Sequence, residues 1–222
     1  MRFAVILLCA GRGKRLKERV DKAFVKIGGS PLFLYSYRVF KNIKDIDQII
    51  IVARKKFFPL INFYVKEKNV NVVCGGRERK DSVYQGLKFV REDIEYLIIH
   101  DGARPFIDTE LIRKVMEAVK SYPAVTLGIK VKDALKKVKR SITVKTVERE
   151  DLYYIQTPQA FKKSLIMKAY KLLGNLAVYD DTQIVEMMGE KVKVIDGSPL
   201  NIKITYPQDL TLAQYILKAK NE

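Results

Sequence analysis

Three loops in this chain combine glycine with charged residues in a pattern suited to phosphate binding. The first, AGRGKRL at positions 10–16, has two glycines that let backbone N–H groups approach an anion, and it carries Arg12, Lys14 and Arg15. Lys22 follows within reach of the same site. The loop has neither the GK[ST] ending of a Walker A motif nor the third glycine of a dinucleotide fingerprint. A solvated basic turn would look the same, so the position of the loop in the fold decides its role.

The second loop is GGRERKDS at positions 75–82. Its Gly-Gly pair permits close backbone approach to a flat ligand such as a base. Asp81 or Ser82 can also serve simply to cap the helix that follows.

The third loop is HDGARP at positions 100–105. Asp101 has the carboxylate that Mg²⁺ prefers, and one carboxylate suffices where nucleotide phosphates supply further oxygens. Arg104 beside it favours a phosphate site. We interpret His100 as a strand-end residue without a chemical role.

Each of these loops follows an apolar, β-branched run that predicts a buried strand, and helical stretches separate the runs. The predicted strands are 3–9, 48–53, 70–74, 96–100, 124–129 and 191–195. The predicted helices are 31–41, 55–68, 80–91, 109–120, 162–173, 181–188 and 207–218. This alternation predicts an α/β fold with a Rossmann-like, doubly wound and mostly parallel sheet, in which ligands bind beyond the carboxyl ends of the strands.

The segment from about 131 to 154 departs from the alternation. It has short β-like pieces, the basic run KKVKR and few apolar stretches of core size. We predict a protruding β-arm inserted in a single domain that spans residues 1–222.

The composition restricts the class of protein. The chain has 222 residues, 48% hydrophobic, and 42 Lys and Arg against 25 Asp and Glu give it a formal charge of +17. This charge suits a nucleic acid, a small polyanionic substrate or a solvated lysine-rich surface, and we find no zinc finger, RNP pair or KH-type loop. We therefore expect no nucleic-acid partner.

The cysteines and the length of the apolar runs indicate the cellular compartment of the protein. Cys9 and Cys74 lie in apolar runs, which predicts buried thiols in a reducing compartment. We see no signal peptide and no apolar stretch of about 20 residues that would span a membrane. The expected location is the cytoplasm, without a membrane partner.

Three phosphate-binding loops at one edge of a sheet indicate a nucleoside triphosphate. No nucleophilic side chain with an adjacent base is evident. A phosphate monoester acceptor would need none, because it is already ionised near neutral pH. The protein then needs to bring two anions together and stabilise charge in the transition state, which Arg, Lys and Mg²⁺ can do.

Over nearly its whole length the sequence resembles the 2-C-methyl-D-erythritol 4-phosphate cytidylyltransferases of the non-mevalonate isoprenoid pathway. The resemblance rests on LLCAGRGKRL, DKAFVKIGGSPL, GGRERKDSVYQGL, HDGARPF, TVEREDLYYIQTPQAF and NIKIT, in the family's order and spacing. It implies transfer of CMP from CTP to methylerythritol 4-phosphate, with Mg²⁺ as cofactor and pyrophosphate as second product. It also implies a homodimer, in which the arm reaches into the partner's site.

The resemblance also implies roles for particular residues. Arg15 and Lys22 match the groups that stabilise the transition state, and Arg149 and Lys203 match those that position the acceptor phosphate. Asp101 matches the magnesium ligand. The implied nucleotide contacts are Ala10, Gly11, Gly13, Gly76, Arg77, Ser82, Asp101 and Gly102. The implied acceptor contacts are Arg104, Arg149, Thr157 and Lys203.

Three positions depart from the family pattern. Gly102 stands where the family commonly has alanine, and we expect this exchange to cost little. Ala134 replaces a threonine of the arm, and Tyr179 replaces the threonine before Asp180. The replacements at Ala134 and Tyr179 affect the contacts that the resemblance implies with the acceptor.

Other functions are compatible with the predicted fold. A cytidylyltransferase for ribitol 5-phosphate, or a sugar-1-phosphate nucleotidyltransferase that uses UTP or dTTP, would have the same fold. The chain is shorter than most sugar-1-phosphate nucleotidyltransferases, and the GGRERKDS loop argues for cytosine. From another class, a basic nucleic-acid-binding protein would show affinity that falls steeply with salt.

Overall fold

Apolar runs of the sequence form most strands of a seven-stranded sheet. The computed structural model describes residues 1–16, 20–174 and 176–221. The strands are β1 (Phe3–Leu8), β2 (Lys26–Ile27), β3 (Ser30–Pro31), β4 (Ile46–Ala53), β5 (Val70–Cys74), β6 (Tyr96–Asp101), β7 (Ala124–Lys130), β8 (Leu135–Lys139), β9 (Ile142–Val147), β10 (Tyr153–Lys162) and β11 (Lys193–Asp196). The α-helices are α1 (Leu32–Lys41), α2 (Phe58–Tyr64), α3 (Arg79–Leu87), α4 (Thr109–Ser121), α5 (Lys163–Leu172), α6 (Asp181–Glu186) and α7 (Pro207–Asn221).

The large sheet has the strand order β11-β7-β10-β6-β1-β4-β5. Neighbours pair in parallel except β10, which runs antiparallel between β6 and β7. The carboxyl ends of β1, β4, β5 and β6 therefore meet at one edge, where Leu8 is in register with Val52 and Asp101. The prediction of an α/β fold with a mostly parallel, doubly wound sheet is confirmed.

Both faces of the sheet are covered. Along β1, alternate residues enter two separate cores, so that Val5 and Leu7 face one side while Ala4 and Ile6 face the other. Helices α1, α2 and α4 cover the first side, and α3, α5 and α6 cover the second. A strand that is buried on both faces needs the continuous apolar run that the sequence shows. A third, smaller cluster joins Leu16, Ile204 and Ile216 beneath α7.

The strand β10 has no counterpart among the strands predicted from the sequence. Its residues were divided between the end of the arm and a loop, because the middle of the strand reads Gln156-Thr157-Pro158-Gln159 and lacks an apolar run. These polar side chains are nevertheless buried, and the structure pairs them. Gln156 Nε2 donates to the Ser198 carbonyl at 2.8 Å, and Gln159 Nε2 donates to Asp180 at 3.1 Å.

Two further predictions need correction. The helix predicted over 55–68 is a 3₁₀ turn, Lys55–Phe57, followed by α2, which ends at Tyr64. Pro59 stands in the first turn of α2, where its missing N–H costs nothing. Cys9 is buried as predicted, but Cys74 is exposed because it ends the edge strand β5.

The segment for which we predicted an arm contains an antiparallel hairpin of β8 and β9, separate from the large sheet. Most of its residues are exposed, including the apolar side chains of Val138, Ile142 and Val144. At its base, the Val131 N–H donates to the Leu152 carbonyl at 3.0 Å. Across the described parts of the chain, no helix combines the length and the apolar character needed to cross a membrane.

Candidate active site

A cavity of about 690 Å³ opens at the edge where β1, β4, β5 and β6 end. It is lined by residues of the three loops that the sequence singled out, together with the segment before α7. The lining residues are Leu8, Ala10, Gly11, Arg12, Gly13, Arg15, Lys22, Arg54, Gly76, Arg77, Glu78, Arg79, Ser82, Asp101, Ala103, Lys203 and Thr205. Proteins with doubly wound sheets bind their ligands at the carboxyl ends of the strands, so the cavity has the position expected of a binding site.

The lining is strongly cationic. Among the described residues of the lining, seven are Arg or Lys, and only Glu78 and Asp101 carry carboxylates. Such a concentration of positive charge in a concave site attracts polyanions and focuses the field on them. The cavity therefore fits a substrate with several phosphate groups.

Gly13 allows the first loop to fold against Lys22. Its φ is +64°, in the left-handed region that glycine adopts without strain, and a Cβ there would lie 2.9 Å from the Cβ of Lys22. The Leu16 N–H donates to the Gly13 carbonyl at 2.8 Å and closes the turn. Arg15 and Lys22 consequently face the same cavity.

The Lys22 ammonium is partly buried and donates to Thr205 Oγ1 at 3.1 Å. Burial, and then the positive charges of Lys203 and Arg15, lower the pKa of Lys22 to about 8, although Asp101 and Asp209 act in the opposite direction. Arg15 lies over the ring of Tyr206 at 5.5 Å from its centroid. Both cations thus contact the segment before α7.

The second loop is fixed by short-range hydrogen bonds. The Gly76 N–H donates to Ser82 Oγ at 3.1 Å, and Ser82 Oγ in turn donates to the Glu78 carbonyl at 3.0 Å. Asp81 accepts from the Glu78 N–H at 2.9 Å at the start of α3. The predicted capping role of Asp81 is confirmed, while Gly76, Arg77 and Ser82 line the cavity.

Asp101 is buried at the end of β6 and is held by two cations. Lys203 Nζ lies 2.5 Å from one carboxylate oxygen, and Arg79 Nε lies 3.2 Å from the other. Burial alone would raise the pKa of Asp101, but Lys203 and Arg79 outweigh it and hold the pKa well below its usual range. The carboxylate is therefore charged throughout the physiological pH range.

The chemistry of this site fits a phosphate-bound Mg²⁺. In the described part of the chain there is no group of three or more His, Cys, Asp or Glu that could hold a metal ion by themselves. Mg²⁺ bound together with a nucleotide needs only one or two protein carboxylates, because phosphates and water supply the other oxygens. Asp101 offers such a carboxylate beside the cavity.

Arg79 was not among the predicted site residues. Its guanidinium bridges Asp101 and the fully buried Asp181, which it reaches at 2.7 Å. Asp181 also accepts from the Tyr170 hydroxyl at 2.5 Å. Asp101 and Asp181 are 22 and 102 positions from Arg79, so no local pattern could reveal the network.

Arg54 also lines the cavity and was missed. It follows β4 directly and pairs with the buried Asp21 at 3.0 Å. The rule that pointed to Asp101, a charged residue at the carboxyl end of a parallel strand, would have found Arg54 as well.

Four of the predicted contacts lie outside the cavity lining: Gly102, Arg104, Arg149 and Thr157. Arg104 is buried, and its guanidinium donates to the backbone carbonyls of Asn201 at 2.7 Å and Ile155 at 3.4 Å. Arg104 thus connects the backbone of two other segments, and its contact with the acceptor stays a prediction. Arg149 lies at the base of the hairpin, where it donates to the Lys132 carbonyl.

Thr157 and His100 form the support beneath Asp101. Thr157 Oγ1 accepts from the Asp101 N–H at 3.1 Å and lies 3.2 Å from His100 Nδ1. Burial lowers the pKa of His100 to about 4, so the imidazole is neutral. This geometry supports our interpretation of His100 and gives Thr157 a structural role beside the cavity.

Gly102 lies closer to its neighbours than the sequence led us to expect. A Cβ at this position would meet Cys9 Sγ at 2.7 Å and the Leu8 carbonyl oxygen at 3.1 Å. A methyl group here would require Cys9 Sγ to shift, which argues against the expectation that alanine costs little.

Comparison with known proteins links this site to a family. The family model described as 2-C-methyl-D-erythritol 4-phosphate cytidylyltransferase matches residues 3–219. A protein of that name from Clostridium botulinum (strain 657 / Type Ba4) is 38% identical over 97% of both chains. A bifunctional IspD/IspF enzyme from Desulfotalea psychrophila is 40% identical over 99% of this chain and 58% of its own length.

Solved structures agree with the sequence matches. The 4-diphosphocytidyl-2C-methyl-D-erythritol synthase of Anaerococcus prevotii superimposes with a TM-score of 0.87 at 33% identity, covering 98% of this chain and 96% of that one. The 2-C-methyl-D-erythritol 4-phosphate cytidylyltransferase of Thermus thermophilus gives 0.84 at 28% identity, covering 98% and 100%.

Proposed function

Because this chain belongs to the 2-C-methyl-D-erythritol 4-phosphate cytidylyltransferase family, we propose that its cationic cavity transfers CMP from CTP to 2-C-methyl-D-erythritol 4-phosphate. The products are 4-diphosphocytidyl-2-C-methyl-D-erythritol and pyrophosphate. The observation that carries the proposal is the convergence of Arg15, Lys22, Asp101 and Lys203 on one cavity.

The reaction is an in-line displacement at phosphorus. An oxygen of the acceptor's phosphate attacks the α-phosphorus of CTP, and the bond from that phosphorus to the oxygen bridging to the β-phosphate breaks. The electron pair of the broken bond leaves with pyrophosphate. The acceptor is already an anion, so no side chain has to remove a proton.

The protein's main task is to stabilise negative charge. In this proposal Arg15 and Lys22 contact the α-phosphate and the departing oxygen, where charge increases in the transition state. Losing one such donor typically costs about 10²–10³-fold in kcat. Both cations are already oriented by Tyr206 and Thr205, which limits the reorganisation needed during the reaction.

Asp101 is the residue that would hold Mg²⁺. Bound there with the triphosphate, Mg²⁺ would neutralise phosphate charge and act as a Lewis acid. Lys203, whose side chain is 40% exposed, is the cation that can turn from Asp101 towards the acceptor's phosphate. The loops with Gly11, Gly13, Gly76 and Ser82 would cradle the nucleotide.

We also propose that the protein works as a homodimer in the cytoplasm. Arg149 lies outside its own chain's cavity, at the base of the exposed hairpin that carries Val138, Ile142 and Val144. A hairpin that reaches a second subunit would cover these side chains and bring Arg149 to the partner's acceptor site.

The test is pyrophosphate release from CTP, Mg²⁺ and methylerythritol 4-phosphate, compared with ribitol 5-phosphate as acceptor and with UTP as donor. We expect release with CTP and methylerythritol 4-phosphate, reduced about 10²-fold or more in Arg15→Ala and Lys22→Ala. Release with ribitol 5-phosphate alone would reassign the acceptor. No release with any pair would overturn the proposal, and near-normal kcat in either variant would remove that residue from the mechanism.

A further inference from the structure

The segment 203–206, between Asn201 and α7, contacts both cations of the proposed transition state. Lys22 Nζ donates to Thr205 Oγ1 at 3.1 Å. Arg15 lies over the Tyr206 ring, and one of its nitrogens is 3.5 Å from the Tyr206 hydroxyl. The orientation of Arg15 and Lys22 therefore depends on two adjacent residues.

Both of these residues are tied to a single carboxylate oxygen. Asp209, in the first turn of α7, accepts at the same Oδ2 from the Thr205 N–H at 2.7 Å and from the Tyr206 N–H at 2.8 Å. Hydrogen bonds to a charged acceptor are stronger than those between neutral groups. Asp209 thus fixes the backbone from which both side chains extend.

The preceding residue anchors the other end of the segment. Ile204 is fully buried in the cluster beneath α7, and its N–H donates to the Ala103 carbonyl at 2.9 Å. Ala103 belongs to the loop that carries Asp101. With Ile204 held on one side and α7 on the other, Asp209 determines how Thr205 and Tyr206 lie between them.

We propose that Asp209 is a positioning residue for catalysis, acting through Thr205 and Tyr206 on the transition-state cations Lys22 and Arg15. The inference rests on the proposed function, because it takes from it the roles of these two cations. Asp209 is outside the cavity lining and does not touch the substrate in this account.

The consequence is a specific effect on turnover. Asp209→Ala leaves the number of cations in the cavity unchanged but frees the backbone that orients two of them. We expect kcat to fall about 10- to 100-fold, as small misplacements of catalytic groups do, with a smaller change in KM for CTP. Asp209→Asn keeps an acceptor oxygen for both N–H groups, so we expect it to restore kcat to within a few-fold of wild type.

A matched control separates positioning from helix stability. Asp108 caps α4 by accepting from the Leu111 N–H at 2.8 Å, outside the cavity. Asp108→Ala removes a comparable cap. We expect Asp108→Ala and Asp209→Ala to lower the melting temperature similarly, while only the latter lowers kcat when both are assayed well below that temperature.

A second pair of variants tests the same link without touching α7. Thr205→Val with Tyr206→Leu removes the hydroxyl acceptor and the aromatic ring, whereas Thr205→Ser with Tyr206→Phe keeps one hydroxyl and one ring. We expect the first pair to lose kcat about as much as Asp209→Ala and the second pair to retain most of it.

The outcomes are distinct. Wild-type kcat in Asp209→Ala, or an equal loss in Asp209→Asn, overturns the inference while pyrophosphate release by the wild type leaves the proposed function intact. If Asp209→Ala does not fold, equal activity in the two Thr205/Tyr206 pairs overturns it instead. An inactive wild type removes the proposed function, and the inference with it.

Discussion

Arg79 donates to the fully buried carboxylate of Asp181 at 2.7 Å. The same guanidinium reaches Asp101 at 3.2 Å, so one side chain connects the proposed metal ligand to the interior of the protein. The positive charge of Arg79 compensates an aspartate that has no exposure to water.

We predict that Arg79→Met destabilises the fold by about 3 kcal/mol or more, because it leaves the charge of Asp181 buried without a cation. Adding Asp181→Asn removes that charge and should recover part of the loss. Urea unfolding of the wild type, both single variants and the double variant measures this coupling. If the changes in the free energy of unfolding caused by the two substitutions simply add in the double variant, the predicted coupling between Arg79 and Asp181 is contradicted.

The side chain of Cys9 lies in the space where Gly102 has no Cβ atom. We predict that Gly102→Ala costs about 1–3 kcal/mol, since its Cβ would lie 2.7 Å from Cys9 Sγ. Cys9→Ala should relieve most of this cost when combined with Gly102→Ala. Thermal or urea unfolding provides the measurement, and wild-type stability of Gly102→Ala alone would contradict the prediction.

Lys22 gives the reaction a pH dependence. Burial lowers the pKa of Lys22 to about 8, and the charged groups that act on it are Lys203, Asp101, Arg15 and Asp209. The charged form is the one that binds phosphate, so kcat/KM for CTP should fall as pH rises through about 8.

Thr205 provides the check on this assignment. Its hydroxyl accepts from the charged ammonium, so Thr205→Val should lower the pKa of Lys22 further and move the fall in kcat/KM to lower pH. Thr205→Ser, which keeps the hydroxyl, serves as the control. A profile that is flat to pH about 9.5, or one that Thr205→Val leaves in place, would exclude Lys22 as the titrating group.

Arg149 tests the dimer. If the hairpin reaches into the partner's site, Arg149→Ala should raise the KM of the acceptor and leave that of CTP nearly unchanged. Mixed dimers of Arg149→Ala and Lys22→Ala subunits then contain one site with both residues intact. We expect mixing the two variants at low acceptor concentration to restore activity, measured as pyrophosphate release.

The control is each variant alone at the same total concentration. If Arg149 acts within its own chain, every site in the mixture carries one defect and mixing restores nothing.

The sequence allowed prediction of the fold wherever burial leaves a continuous apolar run. For this reason β1, β4 and β6 were located to within a few residues. The strand β10 was missed because Gln156 and Gln159 satisfy their polar groups through partners that are distant in sequence. Burial of polar groups requires such partners, and the partners become visible only in the folded chain.

The site, too, contains residues that a local sequence pattern reveals and others whose contacts appear only in the folded chain. Arg15, Lys22 and Asp101 lie in or just after loops at strand ends, so their place in the cavity could be predicted from the sequence, while their proposed roles came from the family resemblance. Arg79 and Asp209 act through contacts with residues elsewhere, and their types and spacing resemble those of ordinary helix-terminal charges. Their roles depend on where other elements pack.

The two ends of the segment that carries the hairpin are neighbours in the sheet. Lys130 pairs with Tyr153, and the Val131 N–H bonds to the Leu152 carbonyl, so β7 and β10 are already joined at the point where the chain departs and returns. The hairpin is thus an appendage to a sheet that closes without it. Its length and charge can change over evolutionary time without altering strand register, so selection can adjust what it touches while leaving the catalytic core unchanged.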